Sequence, residues 1–107
     1  MNYQVNLTKP FQDDLDGLVL FIAQNSPYHA LEYQDTVLCE TLDRLSYFPK
    51  KCKVYEGFLP AHLRKYKGQI RRLNLSKMTL VYFIIDEQEK AVNVLHVKRS
   101  WKPIANS

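Results

Sequence analysis

Residues 78–99 read MTLVYFIIDEQEKAVNVLHVKR. The run 78–85 is apolar except for Thr79, which is typical of a strand that is buried on both faces. The polar stretch 86–90 predicts a short turn, and the pattern over 91–98 predicts a second strand. These segments predict the centre of a mainly antiparallel sheet. Strict alternation in the second strand places Val92, Val94, His96 and Lys98 on one face and Leu95, Val97 and Arg99 on the other.

Two further strands are predicted before this pair. Polar and apolar residues alternate over 3–7, and the segment 70–76 places Leu73 and Leu75 on one face. The basic segment 50–69 shows no clear period. Because long stretches without structure are unusual inside small domains, we expect part of this segment to pair as a strand.

The segment between the first strand and Pro49 predicts a helical hairpin. Thr8 and Ser26 are suited to cap helices, and prolines at 10 and 27 are tolerated in a first helical turn. The short break between the two helices favours an antiparallel pair. Apolar residues recur at helical spacing: Phe11, Leu15, Leu18, Val19, Ile22 and Ala23 in the first helix, and Ala30, Val37, Leu38, Thr41, Leu42 and Leu45 in the second.

Together these elements predict an α+β fold with an N-terminal strand, an antiparallel two-helix hairpin and a mainly antiparallel C-terminal sheet. The 107 residues suffice for one domain, residues 1–107, and 46% of them are apolar, as in globular proteins. The N-terminus lacks the basic-then-apolar build of a signal peptide, and no apolar run is long enough to cross a membrane. Two cysteines are too few for a disulfide framework. We expect a cytoplasmic protein with no membrane contact.

Charge is distributed unevenly along the chain. The formal net charge is +4, but residues 1–49 carry two cations and seven acids, whereas residues 50–107 carry thirteen cations and four acids. This asymmetry favours a polyanion or an acidic protein as the partner of the second half. The alternative is a solvated basic face with no partner.

The second half also carries the candidate functional residues. Guanidinium groups stabilise phosphate charge, imidazole transfers protons near neutral pH, and aromatic rings stack on bases. We expect these cations to converge on one concave patch; the alternative is a hydrogen-bonded His96 among solvated arginines. The candidate catalytic residues are Arg72, His96 and Arg99, and the candidate binding residues are Arg64, Lys67, Arg71, Lys98 and Trp101.

Cofactor and metal chemistry have little support in the sequence. His29, His62 and His96 show no metal-ligand spacing, and nucleotide-binding motifs are missing, so we expect no cofactor and no metal. Cys39 is interpreted as a core or near-core residue. The lysines that flank Cys52 favour a lowered pKa of its thiol, but the sequence identifies no base beside it.

Taken together, these segments resemble the RelE/ParE superfamily of toxins from bacterial type II toxin–antitoxin systems, over nearly the whole chain. The order of the motifs carries the resemblance more than any one of them. They are the N-terminal strand, Leu45-Ser46-Tyr47-Phe48-Pro49 at the end of the hairpin, Arg71-Arg72-Leu73, Leu80-Val81-Tyr82-Phe83-Ile84-Ile85-Asp86, and Val94-Leu95-His96-Val97-Lys98-Arg99.

The resemblance implies a small basic toxin that arrests growth, takes part in plasmid stabilisation and is neutralised by an acidic antitoxin. One branch of the superfamily cleaves mRNA in the ribosomal A site, whereas the ParE branch poisons DNA gyrase. RNA binding and an endoribonuclease activity are expected only for the first branch. A non-catalytic module that binds nucleic acid or an acidic protein is the alternative from a different class.

The sequence matches both branches in part. Thr79 stands where the RelE branch carries an arginine, so a degenerate toxin is a further alternative. Arg72 and the Lys98-Arg99 pair match that branch, but the tyrosine that often follows the pair is not evident, and Trp101 is the nearest aromatic residue. The 71–73 motif, the His96-x-x-Arg99 ending and the long first helix are similar to ParE. The ribosome and gyrase both remain open as targets.

Overall fold

The computed structural model describes residues 2–100. In these residues, two helices pack on one face of a mixed sheet. The elements follow the order that the sequence predicts. They are β1 (Gln4–Leu7), α1 (Lys9–Ala23), α2 (Pro27–Tyr47), β2 (Arg71–Leu75), β3 (Thr79–Asp86) and β4 (Ala91–Arg99), with 3₁₀ helices at Pro49–Lys51 and Ala61–Tyr66.

The sheet has the strand order β1-β4-β3-β2. Strands β2, β3 and β4 form an antiparallel meander, whereas β1 pairs in parallel with β4, from Gln4 beside Ala91 to Leu7 beside Val94. The helices between β1 and the meander supply the crossover that a parallel pair requires. The predicted α+β class with a mainly antiparallel sheet is therefore confirmed.

Both helices begin at the predicted caps. The Thr8 hydroxyl accepts a hydrogen bond from the Phe11 amide at 3.5 Å, and the Ser26 hydroxyl accepts one from the His29 amide at 3.2 Å. The Thr8 hydroxyl also donates to the Val94 carbonyl oxygen at 2.6 Å. This second bond fastens the start of α1 to β4.

Apolar side chains form one core on each side of the sheet. The side under α1 and α2, here called the helix side, packs residues such as Phe11, Tyr33 and Phe83. The opposite side, here called the loop side, packs Leu63 and Tyr82 beneath the segment between α2 and β2. Strand β3 is buried by both cores, which explains its apolar run.

Two details of the predicted helical hairpin are wrong. Leu42, which is predicted to belong to the apolar stripe of α2, is 41% exposed, whereas Tyr33, which that predicted stripe does not include, is buried. Cys39 is exposed and is not a core residue. Both differences arise because α2 buries one narrow stripe on the sheet and presents its other positions to solvent.

Strict alternation in β4 is also wrong, because the strand contains a bulge. Phe83 lies opposite Val94 and Tyr82 lies opposite His96, so Leu95 is an extra residue in this strand. Val94 packs on the helix side, whereas Leu95 packs on the loop side. The bulge moves His96 onto the loop side, away from Val94.

The segment between α2 and β2 contributes little to the sheet. Only Val54 forms a bridge, to Arg71, in the part of the chain described here, so the predicted strand pairing amounts to one residue pair. Leu59 and Leu63 instead anchor the segment on the loop-side core. None of the helices between residues 2 and 100 has the length and apolar character needed to cross a membrane.

Candidate functional site

The sheet divides the predicted basic residues between its two sides. Arg71 and Arg99 lie on the helix side, opposite Phe83 and beside Tyr33 respectively. Arg72 lies on the loop side, where it is opposite Tyr82. Consecutive strand residues point to opposite faces, so neither Arg71-Arg72 nor Lys98-Arg99 can act as a pair on one face. The expectation that all these cations converge on one patch is wrong.

On the helix side, Arg71 holds a loop in place. Its Nη1 donates to the Cys52 carbonyl oxygen at 2.6 Å and, with a longer contact of 3.5 Å, to that of Lys50. These bonds fasten the start of the irregular segment to β2. We therefore assign Arg71 a structural role. Its predicted role in binding stays a prediction.

Arg99 lies in a different part of the helix side. Its guanidinium carbon is 5.3 Å from the centre of the Tyr33 ring, and it lines a cavity of about 430 Å³ with His29, Glu32 and Lys77. Among residues 2–100, its buried Nε has no hydrogen-bond partner. Arg99 therefore cannot meet the same phosphate as Arg72.

On the loop side, Arg72, Tyr82 and His96 form a row across three strands. Tyr82 is opposite Arg72 on β2 and opposite His96 on β4. The Arg72 guanidinium carbon lies 4.4 Å from the centre of the Tyr55 ring, which meets Tyr82 edge-on at 5.7 Å. Tyr82 is fully buried, so it supports the row from beneath and cannot contact a ligand.

His96 is held by two residues that the sequence analysis missed. Its Nδ1 lies 2.6 Å from Oδ2 of Asp14 on α1, and its ring meets the His62 ring edge-on at 5.2 Å. The His96 side chain is only 12% exposed. A carboxylate that bonds one ring nitrogen fixes the orientation of an imidazole and prepares the other nitrogen for proton transfer.

Exposed cations lie on the same side of the sheet as this row. The side chains of Arg64, Lys65 and Lys67 belong to or follow the 3₁₀ helix 61–66, which packs on the loop-side core through Leu63. Lys98, opposite Leu80, is exposed on the same side. We call Arg64, Lys65, Lys67, Arg72 and Lys98 the basic surface. The predicted binding residue Trp101 lies outside the described residues.

A separate groove runs between α2 and the sheet edge at β2. It has a volume of about 400 Å³ and is lined by the apolar side chains of Tyr47, Phe48 and Leu73, by the cations Arg44 and Lys51, and by the carboxylate of Asp43. Tyr47 and Phe48 are 51% and 61% exposed. We call this groove the apolar groove. Its cations outnumber its carboxylates by two to one, so its lining suits an amphipathic segment with acidic side chains.

Cys52 also lines the apolar groove, but its chemistry differs from the expectation. Burial raises the pKa of the Cys52 thiol, and this effect exceeds the opposite influence of Arg44 and Arg71. The expected activation of the thiol by its flanking lysines is wrong, because burial disfavours the thiolate.

Thr79, the residue that departs from the RelE pattern, has a structural partner. It is fully buried, and its Oγ1 lies 2.7 Å from the Tyr33 hydroxyl oxygen. Its hydroxyl also contacts the Lys77 carbonyl oxygen at 3.2 Å. An arginine side chain does not fit this closed position, so Thr79 belongs to the packing of α2 on the sheet.

Comparison with known proteins identifies the family. The family model "ParE toxin of type II toxin-antitoxin system, parDE" matches residues 5–101. A search of curated proteins gives no significant match.

Two solved structures have the same fold. The chromosomal ParDE toxin–antitoxin system from P. aeruginosa superposes with a TM-score of 0.67 at 17% identity, covering 91% of this chain and 95% of that one. The RelBE2 toxin–antitoxin complex from Mycobacterium tuberculosis gives 0.59 at 17% identity, with 95% of both chains covered. With the family model matching nearly the whole chain, this protein belongs to the ParE toxin family of type II toxin–antitoxin systems.

Proposed function

We propose that this toxin arrests growth by acting on DNA gyrase in the cytoplasm. The observation that carries this choice is the separation of Arg72 and Arg99 by the sheet. Ribonuclease action by Arg72, His96 and Arg99 together would require all three to surround one phosphate. Poisoning of gyrase requires a docking surface, and the sequence resemblance assigns that action to the ParE branch.

The basic surface is the part of the molecule that suits a target with bound DNA. Four of its five cations are exposed, and Arg72 is half-buried against Tyr55. Lysine and arginine side chains neutralise phosphates without reading base sequence. Binding through this surface therefore weakens steeply as the salt concentration rises.

A supercoiling assay with purified gyrase tests the proposal. The wild-type protein is expected to block supercoiling, and Lys98→Glu and Arg64→Glu each to raise the inhibitory concentration by about fivefold or more, the equivalent of about 1 kcal/mol. Lys77→Glu is the matched control, because it reverses a charge on the helix side, where Lys77 pairs with Glu32. Unimpaired supercoiling together with cleaved transcripts would contradict the proposal.

We further propose that an acidic antitoxin covers the apolar groove. Two solved structures of similar fold are a ParDE toxin–antitoxin system and a RelBE2 toxin–antitoxin complex. In this chain, Arg44 and Lys51 line a groove beside the exposed rings of Tyr47 and Phe48. An antitoxin segment that folds on binding would lay apolar side chains on Tyr47 and Phe48 and place carboxylates beside the cations.

Co-expression with the product of the adjacent gene, which we expect to be an acidic protein, tests this partner. Phe48→Asp is expected to reduce co-purification of the antitoxin by at least tenfold. Phe58→Asp is the control, because Phe58 is 74% exposed but lies near Arg64 on the other side of the sheet. Equal recovery with both variants would argue against the apolar groove as the antitoxin site.

Ribosome-dependent mRNA cleavage is the second candidate, favoured by the contacts of His96. Asp14 orients His96, the exposed His62 lies beside it, and Arg72 stands two strands away on the same side. One imidazole would take the proton of the 2′-hydroxyl, the other would protonate the leaving oxygen, and Arg72 would stabilise the phosphorane charge.

Primer extension on translated mRNA distinguishes the two mechanisms. Cleavage predicts new 5′ ends that disappear with His96→Ala, Arg72→Ala and Asp14→Asn. Toxicity without new 5′ ends would exclude cleavage and leave gyrase as the target. Growth unaffected by expression without the antitoxin would favour a degenerate toxin or a binding module.

A further inference from the structure

Two imidazoles and one carboxylate meet beside β4, each from a different element. Asp14 lies on α1, His62 on the 3₁₀ helix 61–66 and His96 on β4. One ligand atom from each side chain lies within 4.8 Å of the other two. Because the three residues are far apart in the sequence, no spacing motif identifies them.

We propose that Asp14, His62 and His96 bind one Zn²⁺ ion, with a fourth position open to water. Neutral imidazole and carboxylate are common zinc ligands, and three protein ligands with one open position form a recurrent zinc arrangement. Magnesium and calcium prefer ligand sets made of oxygen, so two imidazoles disfavour them.

Only small side-chain movements are needed for coordination. In a tetrahedral site with metal bonds of about 2.0–2.2 Å, neighbouring ligand atoms are separated by about 3.3–3.6 Å. His96 Nδ1 and Asp14 Oδ2 are now 2.6 Å apart and have to separate slightly, while His62 has to approach. The ion then takes the place of the proton that joins His96 to Asp14. His62 is exposed and Asp14 is 34% exposed, so both are free to adjust.

The surroundings give the site a fixed inner wall and an open outer side. The ring of buried Tyr82 lies 5.5 Å from the His96 ring and limits its movement inward. His62 borders a pocket of about 180 Å³ together with Pro10 and Leu95. Solvent in this pocket would supply the fourth ligand. Lys65 also lines this pocket, but its Nζ lies over the Tyr66 ring, 5.3 Å from the ring centre.

Titration of the untagged, chelator-treated full chain with ZnCl₂ in a calorimeter tests the site, and Co²⁺ absorption gives the coordination geometry. We expect one Zn²⁺ per chain, and at least a tenfold loss of affinity in His62→Ala and in Asp14→Asn. His29→Ala is the matched control, because His29 is an exposed histidine on α2, outside the cluster. Its affinity for zinc is expected to equal that of the wild type.

Two results would overturn the proposal. One is wild-type binding no tighter than that of His62→Ala, and the other is an equal loss in His29→Ala, which would indicate adventitious binding to surface histidines. Because His62 is exposed, its substitution leaves the core intact, and the unfolding midpoint of each metal-free variant checks this. The measurement uses neither growth nor gyrase, so its outcome is independent of the proposed function.

Discussion

At the residue scale, the hydrogen bond between Tyr33 and Thr79 joins α2 to β3 inside the helix-side core. Thr79→Val leaves the buried Tyr33 hydroxyl without this partner and is expected to lower the free energy of unfolding by about 1–3 kcal/mol. Urea denaturation measures the loss. Thr79→Ser keeps the hydroxyl and serves as the control, so equal stability of the two variants would contradict the role of the bond. Adding Tyr33→Phe to Thr79→Val should restore part of the loss.

Two weakly acidic side chains, the partly buried Cys52 thiol and the buried Tyr33 phenol, predict how the stability changes at alkaline pH. Burial raises the pKa of Cys52 above its ordinary value of 9.0 and that of Tyr33 above 10.0. From about pH 9 the unfolded chain therefore binds fewer protons than the folded one, and the free energy of unfolding falls as pH rises. Denaturation curves between pH 8 and pH 11 measure this fall.

Cys52→Ala is expected to remove the part of the fall that begins near pH 9. Cys39→Ala removes a thiol that is exposed in the folded protein and is the control. A stability that stays constant up to pH 11 in the wild type would show that neither group is linked to folding.

The residues of the candidate site could be predicted only where local sequence determines them. Exposure of Arg64, Lys67 and Lys98 follows from their basic character. The contact between Asp14 and His96 spans 82 positions along the chain, and no local pattern encodes it. The state of Cys52 depends on burial, which outweighs the neighbouring charges that the sequence displays.

At the scale of elements, we expect alanine substitutions at two glycines, Gly17 in α1 and Gly68 before β2, to change the free energy of unfolding in opposite directions. Gly17 is exposed inside α1, and a Cβ there meets nothing within 4 Å, so Gly17→Ala is expected to stabilise by about 0.5–1 kcal/mol. Gly68 has φ of +88°, where an L side chain is strained, so Gly68→Ala is expected to destabilise by about 1 kcal/mol. Urea denaturation of both variants decides, and shifts of the same sign would refute the prediction.

Most elements could be predicted because their signals are local. Thr8 and Ser26 set the starts of the helices, and the apolar run of β3 reflects burial on both faces. The bulge at Leu95 could not be predicted, because it results from the pairing of β4 with β3. The parallel pairing of β1 likewise depends on where the helical crossover leads the chain.

At the scale of the whole molecule, the sheet separates the two surfaces on which the proposed function depends. The loop side carries the basic surface and the cluster of Asp14, His62 and His96. The helix side carries the apolar groove. Arg71, on the same side, is bonded to the Cys52 carbonyl oxygen and has a structural role. Under the proposed function, the loop side would contact the target while an antitoxin covers the helix side. All five cations of the basic surface come from the second half of the chain, whereas the apolar groove takes Lys51 from that half and Arg44 from the first.

This division predicts that removing a cation from the loop side reduces toxicity, whereas removing one from the helix side does not. Arg72→Ala removes a cation from the basic surface. We expect it to raise the inducer concentration required for growth arrest by at least tenfold. Arg99→Ala removes a cation from the helix side, where its guanidinium covers Tyr33, and is expected to leave growth arrest within about twofold of the wild type. Growth curves over a range of induction, with protein levels matched by immunoblotting, measure both effects. If Arg99→Ala abolishes toxicity while the protein remains folded, the target must reach the helix side. The basic surface would then not be sufficient for the action of the toxin.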